Sequence, residues 1–263
     1  MRLVTYLINM AESANRLESV QGQFASAALP FVRIDAVDGR KLTDQQISEA
    51  YSPFGAAWRV GRQLTRGEIG CGLSHQIAYH SLLESHFDAA LICEDDILIS
   101  RDLQSVIRSI CDVETGWSVV SLCRLFDNGT PCACSPISGV PEYSLCSYDR
   151  TVWGTQAYIV SRTAAARLTR RRISVPADNL IFVDEAAHLK PLVVEPNPVE
   201  HAEIESARVA RSEVPPLALS RQMVLRMIGQ AGAAGRRLRR WRVRRSSRRR
   251  TPRSDAQGTQ FQN

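Results

Sequence analysis

The chain has 263 residues, 44% of them hydrophobic and 23% charged, enough for one sizeable α/β domain or a domain of about 200 residues plus an appendage. That composition excludes a disordered, collagen-like or disulfide-stapled miniprotein, and no apolar run approaches the roughly 20 residues a membrane-spanning helix needs. The net charge of +6 is unevenly placed: Pro215 to Asn263 hold 13 Arg against the lone acid Asp255, a local +12 that leaves −6 for residues 1–214.

The first strand is expected at Leu3–Ile8, which is apolar and short. Arg2 precedes this strand-like run and polar Asn9 follows it, with no small-residue cleavage site, so the expected compartment is the cytoplasm. Leu17, Val20, Phe24 and Ala27 recur at helical spacing. Phe31–Ile34 reads as a second strand, ending in the loop Asp35–Arg40. Pro53, Gly55 and Gly61 break any long helix between Leu42 and Gln63. Thr65 and Glu68 fit a capping box opening a helix through Ile69, Leu73, Ile77 and Leu82 to about His86. Ala89–Cys93 is fully apolar and is expected at the centre of a parallel sheet. A helix over Leu103–Cys111 and a strand over Val119–Cys123 follow. Arg124–Arg150 reads as loop-rich because of Pro131, Pro136, Pro141 and its turn residues. Trp153–Val160 is strand-like, Thr163–Arg171 helical, Pro176–Val183 the start of a helix, and Leu192–Val194 the last core strand. This alternation predicts a Rossmann-like α/β sheet.

Seven cysteines, at 71, 93, 111, 123, 132, 134 and 146, are an odd and scattered set. Free thiols are expected. Cys123, Cys132, Cys134 and Cys146 lack the paired spacing of familiar zinc knuckles.

The chemistry concentrates at Glu94-Asp95-Asp96, three acids at the end of a buried strand. Ligands bind at strand carboxyl ends in open α/β folds, and a divalent cation relieves the mutual repulsion of clustered carboxylates. A solvated acidic turn is the plainer alternative, but strongly apolar residues flank the triplet on both sides. Asp38 and Gly39, after the second strand, are candidates to hold a nucleotide base or ribose, or form a plain turn. Ser74 and His75, inside a helix, are substrate contacts or buried structural groups. Gly67 and Gly70 would let a phosphate approach that helix's N-terminal amides. His201 is a further candidate imidazole ligand.

Four segments carry a resemblance. Leu7-Ile8-Asn9 with Arg16, Phe31 to Arg40, and Leu64 to His75 followed by Glu94-Asp95-Asp96 come in that order. Trp153 to Ser161 follows, with Pro176-Ala177-Asp178 downstream. In order and spacing the chain resembles glycosyltransferase family 25, the bacterial lipopolysaccharide and lipooligosaccharide transferases. The resemblance implies a nucleotide-sugar transferase of the A-type, Rossmann-like fold, with residues 1–210 as the catalytic domain. It implies Mn²⁺ (or Mg²⁺) held by Asp96 and Glu94, with Asn9, Asp38, Gly39, Glu94 and Asp95 around the donor. The transfer implied is of galactose from UDP-galactose, with inversion, to a lipid-linked oligosaccharide core. Asp178 matches the position of a general base or acceptor contact, with a helix N-cap as the alternative. Asn179 departs from the pattern, since an acid often stands there.

The tail, 215–263, has Leu217, Leu219, Val224, Leu225, Met227 and Ile228 followed by arginines around Trp241. That pattern suits an amphipathic segment on an anionic membrane surface, which would hold the enzyme peripherally on the inner face of the cytoplasmic membrane; a disordered basic extension is the alternative. Two other functions compete. One is a metal-dependent phosphohydrolase or nuclease using the same acids, although no second carboxylate cluster of like density is present. The other is a nucleic-acid-binding protein using the tail, although the body is acidic and shows no recognition module.

Overall fold

The computed structural model describes residues 1–112, 117–125, 130–148, 153–169, 172–179, 189 and 191–202. The described residues other than 57–62 belong to one compact unit. The basic tail lies outside the described residues.

The first unit is built on an eight-stranded mixed sheet. Its strands are β1 (Leu3–Asn9), β2 (Val32–Asp35), β3 (Ala89–Glu94), β5 (Val119–Ser121), β6 (Pro131–Ile137), β7 (Val140–Tyr148), β8 (Ala157–Ser161) and β9 (Pro191–Glu195). They lie in the order β2-β1-β3-β8-β5-β9-β7-β6. A separate pair joins β4 (Ile97–Ile99) to β10 (Val199–His201). Strand β3 is central and fully buried from Ala89 to Cys93. It is parallel to β1 on one side but antiparallel to β8 on the other, which corrects the expectation of an all-parallel setting. The apolar run reflects cover on both faces, whatever the direction of the neighbours.

Side chains alternate across these strands. Leu7, Leu91, Cys93 and Ile159 face one core with Val20 and Phe24 of α1 (Ala14–Ser26) and Val106 and Ile110 of α5 (Leu103–Asp112). Tyr6, Ile8, Ala90, Ile92 and Tyr158 face the other. There they meet Tyr79 and Leu82 of α4 (Arg66–Glu84) and Ala165 and Leu168 of α6 (Arg162–Leu168). Helices on both faces of one sheet make the α/β, Rossmann-like class.

Between β2 and α4 lie two short helices, α2 (Asp44–Ala50) and α3 (Pro53–Val60), as the breakers in that stretch imply. The expected capping box is present: Thr65 accepts from the Glu68 amide, and the Glu68 side chain accepts from Thr65.

Two expectations fail between 124 and 148. The stretch is not loop-rich: β6 and β7 form a hairpin through Ser138-Gly139. Its prolines mislead because β6 is the edge strand, mostly exposed, where a missing N–H costs no ladder bond. The cysteines are not all free either. Cys134 and Cys146 sit opposite each other in that hairpin and are joined as a disulfide. With Cys123 buried and Cys132 exposed, the four do not form a thiolate set. No described helix is long and apolar enough to cross a membrane.

Candidate active site

The acidic triplet leaves the sheet at the carboxyl end of β3, between β1 and β8. Register places each neighbour. Ile8 is opposite Glu94, so Asn9 stands beside Asp95. Cys93 is opposite Ala157 and the Glu94 amide donates to Gln156 O, which brings Thr155 to the triplet, its hydroxyl within reach of the Glu94 carboxylate. His201 pairs with Ile97 across β4 and β10, which brings its ring to Asp96.

Asp95 is clamped. Asn9 Nδ2 donates to its Oδ2 at 2.6 Å, and Arg16 Nη1 lies 3.0 Å from Oδ1. Arg33 Nε in turn donates to Asn9 Oδ1 at 2.9 Å. Burial still lifts the Asp95 carboxyl above its ordinary value despite Asn9 and Arg16. Asn9 and Asp95 therefore use their polar atoms largely on each other and on α1, which fixes the turn that aims Glu94 and Asp96.

Asp96 is different. Its Oδ1 is buried with no hydrogen-bond partner among the described residues, and Oδ2 lies 3.4 Å from His201 Nε2. Burial first, and the Glu94 charge second, push its carboxyl up to about 6. Glu94 goes the other way. Burial alone would raise it, but His75, with Nε2 3.5 Å from Oε1, and Thr155 hold it below the usual range. Asp178 completes the cluster. Thr155 Oγ1 donates to Asp178 Oδ1 at 2.8 Å and stands 3.3 Å from Glu94 Oε1. Burial, then the charge of Glu94, raises the Asp178 carboxyl. Asp178 lies within the helical turn α7 (Ala177–Asn179), so it is not the residue that precedes a helix as the N-cap alternative required.

The orphaned Asp96 oxygen and the neighbouring Glu94 carboxylate are oxygen donors of the kind Mn²⁺ or Mg²⁺ takes, and Asp96 and Glu94 are the residues that would hold the ion.

A cleft of about 310 Å³ lies beyond the carboxyl ends of β1 and β2, lined by Met10, Glu12, Val37, Asp38, Lys41 and Gln46 among others. Asp38 borders it, but its carboxylate is engaged by Arg40 Nε at 2.8 Å and the Arg40 amide at 3.0 Å; these contacts hold it down to about 2. Gly39 is needed because a Cβ there would fall 1.8 Å from Arg66 O, and Gly70 because its Cβ would meet Val37 O at 2.6 Å. The loop thus rests directly on α4. Ser74 locks the contact, accepting from the Val37 amide and donating to Gly70 O, both at 2.8 Å. Ser74 is therefore structural, and Gly70 serves packing rather than a phosphate. At that helix's N-terminus Thr65 Oγ1 takes the Glu68 amide. His75 is buried, with Nδ1 2.8 Å from Tyr158 Oη.

Thr155 and Arg16 gain roles that their place in the motifs did not reveal. Their partners come from strand pairing over dozens of residues, and no local pattern encodes it.

The sequence profile described as glycosyltransferase family 25 (LPS biosynthesis protein) matches residues 3–181. Procollagen galactosyltransferase 1 of Danio rerio is 26% identical over 208 residues, covering 74% of this chain and 32% of that protein. The lipooligosaccharide biosynthesis protein lex-1 of Haemophilus influenzae is 26% identical over 129 residues, covering 47% of this chain and 43% of that one. The chain thus spans about a third of the length of the procollagen galactosyltransferases it matches. A glycosyltransferase involved in glycosylation of the major capsid of PBCV-1 aligns at a TM-score of 0.41 with 10% identity, over 81% of this chain and 99% of that one. With a profile match across residues 3–181, more than half of its length, the chain belongs to glycosyltransferase family 25.

Proposed function

We propose that the protein transfers a sugar, galactose from UDP-galactose, to the saccharide of a lipid-linked lipooligosaccharide or lipopolysaccharide core, with inversion. The observation that carries the reading is the Asp96 carboxylate, buried with one oxygen unpartnered, at a strand end shared with Glu94 and within a cluster that includes Asp178. Its similarity to procollagen galactosyltransferases and to a lipooligosaccharide biosynthesis protein supports the galactose and lipooligosaccharide assignments.

Mn²⁺ or Mg²⁺, when bound by Asp96 and Glu94, supplies charge that stabilises a leaving diphosphate. The chain's own groups do the rest. The cleft at β1 and β2 takes the nucleoside, with Asp38 and Gly39 shaping its wall. Asp178 accepts the proton of the acceptor hydroxyl as that oxygen bonds to the anomeric carbon and the bond to the diphosphate breaks. Its raised carboxyl makes it a stronger base than an exposed aspartate, and the Thr155 hydroxyl fixes one oxygen so that the other is available for the proton. Glu94, held ionised by His75 and Thr155, keeps its charge for the cation. The tail, 215–263, holds the enzyme on the anionic inner membrane surface where such an acceptor would lie.

A panel of UDP-sugars incubated with a lipooligosaccharide core acceptor, with and without Mn²⁺, tests the reading. Galactosylated product from UDP-galactose that requires Mn²⁺ is expected. Hydrolysis of simple phosphoesters with no sugar transfer from any donor would overturn it in favour of phosphohydrolase chemistry.

A further inference from the structure

Cys71 and His75 stand four residues apart on α4 and so share one helix face, the face that meets Glu94 at the end of β3. Cys71 Sγ, a His75 ring nitrogen and a Glu94 carboxylate oxygen lie within 4.8 Å of one another. Ligand atoms around one tetrahedral zinc stand about 3.5 Å apart, so small side-chain rotations would bring these three to a common centre. The imidazole is already prepared. His75 is 2% exposed, and its Nε2 has no hydrogen-bond partner among the described residues; at 3.5 Å, Glu94 Oε1 is beyond good hydrogen-bond range. Across the ring, Nδ1 meets Tyr158 Oη at 2.8 Å, and Tyr158 Oη meets Tyr79 Oη at 2.7 Å. When a cation binds, the ring proton sits on Nδ1 against Tyr158 Oη, and the cation takes the place of the Nε2 proton as the positive charge that faces Glu94. Metal-binding imidazoles are held in this way by an outer partner.

We propose that Cys71, His75 and Glu94 form a site for a soft divalent cation, Zn²⁺ or Co²⁺, bound through thiolate, imidazole and carboxylate with a fourth position open. The sulfur and nitrogen donors separate it from the Asp96 centre, since Mn²⁺ and Mg²⁺ favour oxygen. On binding, the Cys71 thiol gives its proton to solvent and the thiolate bonds the ion. Burial first, and then the charges of Glu94, Asp178 and Asp96, oppose the thiolate at Cys71, and the bound dication offsets both. The site stands without the sugar-transfer reading, although Glu94 serves both.

Cobalt titration of the full chain is the test, followed by near-ultraviolet and visible absorption. The expected result is a sulfur-to-cobalt charge-transfer band that saturates at one thiolate-bound Co²⁺ per chain and that Zn²⁺ bleaches. The band should vanish in Cys71→Ser and persist in Cys132→Ser, which alters an exposed free thiol. It should also persist in Asp96→Asn, whatever becomes of that variant's donor binding. Cobalt binding without a sulfur band, a band that survives Cys71→Ser, or one lost in Asp96→Asn would overturn the assignment. Should Cys71→Ser not fold, X-ray absorption of the zinc-loaded wild-type protein decides, because a zinc shell without sulfur contradicts the site.

Discussion

Replacing Arg16 with Met removes the charge that faces Asp95 while keeping the length of the side chain. Asp95 is 8% exposed and would retain only the Asn9 amide. Breaking a buried pair by removing one partner costs about 3–5 kcal/mol, and the 28% exposure of Arg16 places this case at about 3 kcal/mol. For a domain near 200 residues that lowers Tm by roughly 6–12 °C. The pH dependence has a definite sign. Asp95 already titrates above its ordinary value of 3.8 because of burial, and losing Arg16 raises it further. A raised folded value means that the native state holds its proton more tightly than the unfolded chain, so stability falls as pH rises through that range. The gap between Arg16→Met and wild type should therefore be small near pH 4 and full by pH 7. Adding Asp95→Asn to Arg16→Met removes the unpaired charge and should recover most of the loss. Thermal melts of wild type, Arg16→Met and the double variant across pH 4–7.5 measure this. A gap that is the same at every pH and unrelieved by Asp95→Asn would refute the clamp.

Asp96→Asn should stabilise the metal-free protein at pH 7.5 by about 1–3 kcal/mol, because a carboxyl raised from 3.8 to about 6 carries a burial penalty that grows as pH rises and that the amide lacks; melts in chelator check it. Asp178→Asn should lower turnover by about 10²–10⁴-fold with donor affinity nearly unchanged, as steady-state kinetics and a UDP titration would show. Removing residues 215–263 should abolish co-sedimentation with anionic liposomes and leave transfer to a short soluble acceptor intact. Gly39→Ala should unseat the loop from α4, since its Cβ would lie 1.8 Å from Arg66 O, and a melt should show a loss of stability with weaker donor binding.

Much of this was legible in the sequence, for reasons visible residue by residue. Ala89–Cys93 has the length and continuous apolarity of a strand covered on both faces, and three acids directly after it mark a strand end turned toward a ligand. Thr65 and Glu68 announced their helix by local chemistry. The hairpin from Pro131 to Tyr148 was hidden because Pro131 and Pro136 break central strands, and nothing local shows that β6 lies at an edge. The site's finer wiring was equally hidden. His201 reaches Asp96 only because β10 pairs with β4, and Thr155 faces Glu94 and Asp178 only because β8 runs beside β3. Ser74 and His75 read alike in the sequence as polar groups in a helix. One bonds back to its own turn and a loop, the other points into the acidic cluster.

The account turns on the Asp96 and Glu94 centre holding a cation that in turn holds the donor. Calorimetric titration of UDP-galactose into the wild-type protein and into Asp96→Asn, each with and without Mn²⁺, addresses it directly. The account predicts donor binding to wild type only when Mn²⁺ is present, and none to Asp96→Asn under either condition. Equal affinity with and without the metal, or Mn²⁺-dependent binding that survives in Asp96→Asn, would contradict it.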